Sequence, residues 1–356
     1  MRAYGRCQKV TFGTNKKGWN RTRVELVPRS VSHLGRSRFA TDGRAAGGAY
    51  RHATQFWRRT VFTNILIGVD GRQGGRDAIA LARSLASPEA TFTLAHAYRL
   101  VPGMGAAEAL PVERMQSHEL LERECDLAGL KADLVTRGQH PVGHMLHELA
   151  EERGVDLIVV GSARPALLGR VLLGDDARAA LDGTPCALAA APRGFAQLPH
   201  ELRHLGVGYD GSPESEHALT VARELAETSP GAMISAYWIV SLQHVRDEKP
   251  IPADWPREID ELIERRAQAL AQIGDVHGVV TYGGPREELA QFGKDLDLLI
   301  VGSRGYGPLG RLIHGSVSRY LVGHASCPLL VLPRAAAQQS DASDAHERTS
   351  AVSVGS

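Results

Sequence analysis

The stretch "LGVGYDGSPESEHALTVARELA", residues 205–226, joins a short apolar run to a longer amphipathic segment. The apolar run ends at Asp210 and is typical of a buried strand. Beyond it, Ala218, Ala222 and Leu225 recur at the spacing of one helical face. The stretch therefore predicts a strand, a turn at Asp210 and a helix.

The same pattern stands 140 residues earlier as "ILIGVDGRQGGRDAIALARSLA", which begins at Ile65. A second pair of strands, "DLIVVGS" from Asp156 and "DLLIVGS" from Asp297, is offset by 141 residues. Similarity at a fixed spacing is typical of duplicated domains. Because strands and helices alternate within each copy, we expect two α/β domains, each a parallel sheet with helices on both faces.

The repeat divides the chain into two domains, at about 61–195 and 200–335, and two tails. Each domain adds a last helix and a final apolar strand, "CALAAAP" at 186–192 and "CPLLVLP" at 327–333. Edge strands are protected when they pair. We therefore expect the two copies to pack through these strands as an internal pseudo-dimer, and we expect that whole chains can form a further homodimer.

The two tails differ from the domains in composition. Residues 1–60 hold fourteen Lys and Arg against two acidic residues, although the whole chain has a net charge of only +1. This stretch shows no sustained apolar periodicity, which favours a basic, disordered extension over a nucleic-acid-binding arm or a targeting segment. The Ser-, Ala- and Asp-containing residues 336–356 are expected to be disordered as well.

Several classes of protein are disfavoured. No apolar run reaches the roughly 20 residues that span a bilayer, and no secretory signal is evident. The four cysteines are scattered without CxxC spacing, which argues against a zinc site or a disulfide framework. His140, His144 and His147 lack the HExxH spacing of a metal site. We expect a cytoplasmic protein with no membrane or nucleic-acid partner.

A glycine-rich loop, "GSRGYGPLGRLIHGS" at 302–316, follows the second "DLLIVGS" strand. It is not a mononucleotide P-loop, because Arg311 and Leu312 stand where Lys and Ser or Thr are required. Loops at the carboxyl ends of parallel strands bind ligands, and glycines let the backbone approach a phosphate without interference from Cβ. The loop therefore predicts a phosphate-binding site.

The strand ends "GVDG" and "GYDGS", the "DLLIVGS" strand and the spacing G-x2-G-x9-G-S together resemble the universal stress protein (UspA) family in its tandem form. The resemblance covers both repeats and neither tail. It implies two tandem Rossmann-like domains of the adenine nucleotide alpha hydrolase type, each with five parallel strands. In that family this glycine spacing marks members that bind ATP, which can carry Mg²⁺.

The resemblance places the adenine nucleotide in the second copy. Asp210 would accept hydrogen bonds from the ribose or adenine, and Gly208 and Trp238 would line the adenine. The triphosphate would lie along the glycine loop and the start of the next helix, at Gly302, Ser303, Arg304, Gly305, Tyr306, Gly307, Pro308, Gly315, Ser316, Val317 and Ser318. No catalytic residue is implied.

The matching loop of the first copy, "GSARPALLGRVLLGDD" from Gly161, keeps only half of this pattern. Arg164 replaces the glycine that matches Gly305, and Asp175 replaces the hydroxyl residue that matches Ser316. Arg164 restricts the backbone, and the carboxylate of Asp175 would repel a phosphate. We expect the first copy to bind nucleotide weakly or not at all.

Three functions are compatible with the sequence. The leading interpretation is a stress-response or regulatory protein that acts through ATP occupancy of its second domain. A slow ATP-hydrolysing or adenylate-handling enzyme is less favoured, because phosphoryl transfer needs positioned groups and only Asp210 is a candidate base. The third interpretation is an interaction scaffold that binds no nucleotide.

Overall fold

A computed structural model of the chain contains one sheet of twelve strands. The structure describes residues 4–14, 20–28, 62–98, 106–138, 141–162, 167–173, 183–184, 186–198, 201–241, 255–303 and 315–333. Two parallel α/β domains form the two halves of the sheet, and a hairpin extends it at one end.

The hairpin consists of β1 (Tyr4–Thr14) and β2 (Asn20–Pro28), which are antiparallel. β2 also pairs with residues 278–281 of the second copy, and its Val24 and Leu26 are buried. The expectation of disorder across residues 1–60 therefore does not hold for these two strands. The physical reason is that Val24 and Leu26 extend the apolar core of the second copy.

The first copy comprises five strands and three helices among its described residues. They are β3 (Phe62–Gly68), α1 (Gln73–Leu85), β4 (Ala86–Tyr98), α2 (Ala106–Ala128), β5 (Asp133–Gly138), α3 (Val142–Arg153), β6 (Leu157–Gly161) and β7 (Ala187–Ala191). The strand order is β7-β6-β3-β4-β5, and all four pairings are parallel.

The second copy repeats this plan. Its elements are β8 (His204–Gly208), α4 (Pro213–Thr228), β9 (Met233–Val240), α5 (Trp255–Ala271), β10 (His277–Tyr282), α6 (Pro285–Phe292), β11 (Leu298–Gly302), α7 (Ser316–Leu321) and β12 (Leu329–Leu332). The order β12-β11-β8-β9-β10 is again parallel throughout. The predicted α/β fold with two five-stranded parallel sheets is confirmed.

The central strands are apolar on both faces, as strands covered by helices on each side should be. In β3, the side chains of Ile65, Leu66 and Ile67 have no solvent exposure. Ile65 and Ile67 belong to one core layer and Leu66 to the other. Because the strands of each copy are parallel, their carboxyl ends lie at one edge of the sheet, where the loops begin.

The two copies meet at an antiparallel seam between β7 and β12. Across the seam, Leu188 lies opposite Val331, and Ala189 lies opposite Leu330. All four side chains are buried. The final strands thus join the two parallel sheets into one, which is the internal pairing that their apolar sequences predicted.

A buried carboxylate holds the linker between the copies. Asp77 on α1 has no solvent exposure. Its two oxygens accept hydrogen bonds from the backbone amides of Gly194 and Ala196, each at 2.8 Å, and a third from Gln73 Nε2 at 2.9 Å. A buried carboxylate is tolerated when it is hydrogen-bonded in this way, so Asp77 fixes the chain where it leaves the first copy.

Candidate functional site

A cleft opens at the carboxyl ends of β8, β9 and β11 in the second copy. Its empty volume is about 990 Å³, including the part open to solvent. Ligands of parallel α/β sheets bind at such a place. The cleft brings together eight of the predicted site residues, namely Gly208, Asp210, Trp238, Gly302, Ser303, Gly315, Val317 and Ser318.

The other predicted residues fall into two groups. Ser316 begins α7 with an exposed side chain and is not part of the cleft wall. The central loop residues Arg304, Gly305, Tyr306, Gly307 and Pro308 lie outside the described residues, as do Arg164 and Asp175 of the first copy. Their roles stay predictions.

Asp210 lies in the turn that leads from β8 to α4. Its Oδ1 accepts hydrogen bonds from the amide of Ser212 at 3.1 Å and from the Ser212 hydroxyl at 2.5 Å. The turn passes through Gly211 at a φ of 81°, which favours glycine. Ser212 Oγ in turn accepts from the amide of Ser215 at 3.3 Å and caps α4. The turn therefore holds the exposed carboxylate at the rim of the cleft.

Trp238 lies at the side of the cleft with only 8% of its surface exposed. Its ring meets Tyr209 edge to face, with 5.3 Å between centroids. The guanidinium of Arg266 lies over the indole, 4.7 Å from the centroid of the Trp238 ring. The indole is thus covered by these two side chains among the described residues, and its contact with an adenine stays a prediction.

Tyr209 supports the cleft wall. Its hydroxyl donates a short hydrogen bond to Glu216 on α4, and its amide donates to the Tyr237 carbonyl at 2.9 Å. Burial, followed by the hydrogen bond to Glu216, raises the pKa of Tyr209 above its ordinary value. The phenol therefore stays protonated at neutral pH and serves as a hydrogen-bond donor.

Ser303 contributes a buried hydroxyl to the cleft. The residue lies just after β11, is 1% exposed, and its amide donates to Leu332 O at 2.9 Å. Its Oγ has no hydrogen-bond partner within the described part of the chain. Leaving a buried hydroxyl unpaired costs about 1–3 kcal/mol, so a ligand oxygen at this point would be stabilised.

The equivalent hydroxyl in the first copy is fully engaged. Ser162 Oγ lies 2.7 Å from Ala191 O and 3.1 Å from Arg170 O, and it accepts from the amide of Leu172 at 3.2 Å. The loop that follows β6 therefore folds back onto the residue at the end of that strand. Among the described residues, the two copies therefore differ in the hydrogen bonding of this serine hydroxyl, which has partners in the first copy and none in the second.

Gly302 and its counterpart Gly161 have a packing role that the sequence did not reveal. A Cβ built on Gly302 would lie 2.7 Å from the Cβ of Glu214, and one on Gly161 would lie 1.8 Å from the carbonyl oxygen of Gly74. Glycine therefore lets the first turn of α4 or α1 approach the strand end. At Gly302 the same absence of a Cβ would also allow the predicted close approach of a phosphate.

Sequence reasoning missed other polar groups of the cleft, among them Arg266 and Ser215. Ser215 is buried and its Oγ donates to Ser212 O at 2.9 Å. No cluster of three or more His, Cys, Asp or Glu able to hold a metal occurs among the described residues. His144 and His147, considered earlier, instead pair with the glutamates four residues further along α3.

Comparison with known proteins agrees with this architecture. The model of the universal stress protein family matches residues 62–192 and 201–333. The chain belongs to the universal stress protein family. It is 27% identical over 287 residues to a universal stress protein of Mycolicibacterium smegmatis, a match covering 75% of this chain and 96% of that protein. It is 23% identical over 292 residues to one of Mycobacterium tuberculosis, covering 77% and 99%.

Solved structures show the same fold. A universal stress protein from Archaeoglobus fulgidus superposes with a TM-score of 0.56 at 17% identity, covering 76% of this chain and 98% of that one. A Pseudomonas aeruginosa protein described as functionally unknown gives 0.52 at 14% identity, covering 77% and 93%. In the described part of this universal stress protein, no helix combines the length and apolar character needed to cross a membrane.

Proposed function

We propose that this universal stress protein binds an adenine nucleotide, ATP in particular, in the cleft of its second copy, and that occupancy of the cleft regulates a stress response. The observation that carries the proposal is the buried Ser303 hydroxyl, which lines the cleft without a hydrogen-bond partner among the described residues. A phosphate oxygen would accept a hydrogen bond from the Ser303 hydroxyl and remove the free-energy cost of burying that hydroxyl unpaired.

The cleft has two ends suited to the two parts of a nucleotide. Ser303, Gly315 and Ser318 surround the end formed by β11 and α7, where phosphates would lie. Asp210 and Trp238 lie at the ends of β8 and β9, where the nucleoside would lie. Asp210 would accept hydrogen bonds from ribose hydroxyls or the base. Mg²⁺ would then be held mainly by the phosphates and water, its usual ligands in nucleotide sites.

We also propose that the protein acts in the cytoplasm and that two chains can associate. The seam between β7 and β12 uses both final strands within one chain. A homodimer would therefore have to form through another surface. We propose no nucleic-acid partner.

The test begins with the full chain, freshly purified. Nucleotide extracted from it is identified and quantified per chain, and ATP binding is measured by calorimetry. We expect one adenine nucleotide per chain at most, and Ser303→Ala should weaken ATP binding about tenfold, equivalent to one hydrogen bond to a charged group. Ser84→Ala on α1 is the control, because within the described residues its hydroxyl donates to Ala80 O of the same helix. Absence of ATP binding by the unaltered chain would refute the proposal.

A further inference from the structure

The loop after β6, residues 167–173, is called here the brace loop. On one side it is attached to the end of β7. The amide of Gly169 donates to Arg193 O at 2.8 Å, and the amide of Arg193 donates to Arg170 O at 3.1 Å. Ser162 Oγ adds a tether, because it accepts from the Leu172 amide and lies 2.7 Å from Ala191 O.

On its other side the brace loop contacts the second copy. The amide of Val171 donates to Ala325 O at 2.9 Å, and the amide of Leu173 donates to Val322 O at 3.0 Å. Both side chains are almost completely buried in the core layer that also contains Val322. Buried backbone hydrogen bonds fix the main chain on both sides of such a contact. The brace loop thus holds the turn that follows α7.

That turn is one helical turn away from the cleft. The amide of Val322 donates to Ser318 O at 3.1 Å, and Ser318 Oγ donates to Gly315 O at 3.1 Å. Ser318 and Gly315 both line the cleft. A continuous series of hydrogen bonds therefore runs from Leu173 in the first copy to the end of the cleft where phosphates are proposed to bind.

We propose that the brace loop positions α7 and thereby shapes the phosphate end of the second copy's cleft, with Ser162 as the positioning residue. This inference rests on the proposed nucleotide function. The Ser162 hydroxyl binds the backbone of its own copy, whereas the matching Ser303 hydroxyl lines the cleft. Asp210 follows β8 and Trp238 lies on β9, and neither makes a described contact with the brace loop.

The experiment compares ATP with adenosine, because only ATP uses the phosphate end. Calorimetry on the full chain should show that Ser162→Ala weakens ATP binding about five- to tenfold, as expected from the loss of one buried hydrogen bond, while adenosine affinity is unchanged. A merely structural role would lower the melting temperature and leave the ratio of the two affinities as it is. Ser162→Thr, which keeps the hydroxyl, should restore the ratio.

A second variant tests the same inference independently, in case Ser162→Ala does not fold. Arg170 Nη1 contacts His324 O at 3.3 Å across the same interface and is exposed, so Arg170→Ala should fold and reduce the ATP-to-adenosine ratio in the same direction. An unaltered chain that binds no ATP would refute the nucleotide proposal itself. If the unaltered chain binds ATP, and both variants keep its ratio of ATP to adenosine affinity, only the positioning role of the brace loop would be overturned.

Discussion

The guanidinium of Arg266 on α5 lies 4.7 Å from the centre of the Trp238 ring on β9, inside the wall of the cleft. A cation over an indole face is attracted by about 0.5–1 kcal/mol at an exposed site. The contact closes the side of the cleft where the nucleoside is proposed to lie. A base that stacks on the face of Trp238 occupied by Arg266 must first displace that guanidinium.

The first prediction follows from this competition. Arg266→Ala should uncover the indole and raise adenosine affinity about two- to fivefold. The reason is that adenosine binding to this variant no longer has to break the cation–π contact. Calorimetry measures the affinity, and a shift in tryptophan emission on binding reports stacking. Arg265→Ala, the exposed neighbour on the same helix, should change neither. A fall in affinity in Arg266→Ala would show that Arg266 itself holds the ligand.

The second prediction contrasts the two equivalent serines in protein without nucleotide. Ser162→Ala leaves the Leu172 amide and Ala191 carbonyl without their partner, so the free energy of unfolding should fall by about 1–3 kcal/mol. Ser303→Ala removes a buried hydroxyl with no described partner, so it should leave the free energy of unfolding unchanged or raise it by up to about 1–3 kcal/mol. Urea denaturation measures both. The reverse order would contradict the assignment of the cleft.

The third prediction concerns the glycine at the end of β6. Gly161→Ala would place Cβ against the backbone oxygen of Gly74, which cannot move without shifting α1. We expect a loss of about 1–3 kcal/mol or more in the free energy of unfolding. Gly68→Ala is the matched control, because its Cβ would meet the side chains of Leu146 at 3.4 Å and Val160 at 3.6 Å, which are ordinary van der Waals contacts. Equal effects of the two changes in urea denaturation would contradict the close helix–strand approach.

The fourth prediction tests the hairpin. Leu26→Ala should lower the free energy of unfolding by about 2–5 kcal/mol, because Leu26 is 4% exposed in the core beside β10. Leu127→Ala on α2, where 65% of the leucine is exposed, should cost less than about 0.5 kcal/mol. Both changes are measured by thermal and urea denaturation. A Leu26→Ala protein as stable as the control would show that β2 does not pack on the second copy.

The fifth prediction is a pH dependence of stability. Burial lowers the pKa of His217 on α4, because the buried imidazolium loses hydration. The unfolded chain therefore takes up this proton at a higher pH than the folded chain does. The stabilisation is complete above about pH 6.5 and is lost as the pH falls from there towards the lower folded value.

Urea denaturation at about pH 8 and pH 5.5 measures this loss. His217→Gln, which cannot be protonated, should lose less stability between the two conditions than the unaltered chain. The comparison at pH 8 corrects for the pH-independent effect of the substitution. An identical loss in both proteins would show that His217 does not contribute.

Periodic patterns predicted the two parallel sheets because β3 and β8, like β6 and β11, combine apolar runs with helices at repeated spacing. The hairpin was not predictable in this way. Its apolar alternation is short and lies within a basic segment, and its partner strand β10 is remote in sequence. Pairing between distant segments outweighs local composition in such a case.

The candidate site was partly predictable for a similar reason. Asp210, Trp238 and Ser303 each follow or end a strand, so topology alone brings them to one edge of the sheet. Arg266 was not predicted, because an arginine on an amphipathic helix is usually solvated and nothing in the sequence marks one that reaches the cleft. The engagement of the Ser162 hydroxyl depends on the path of its loop, which the sequence pattern does not specify.

The pairing of Val24 with Val280 has a consequence for biosynthesis. At about 5–20 residues per second, translation produces β10 roughly 13–50 s after β2. During that interval the apolar edge of the hairpin has no partner of its own. The many arginines and lysines of this segment repel identical segments on neighbouring nascent chains, as charged residues on edge strands do. Docking of β2 is therefore a late event, which waits until β10 has left the ribosome.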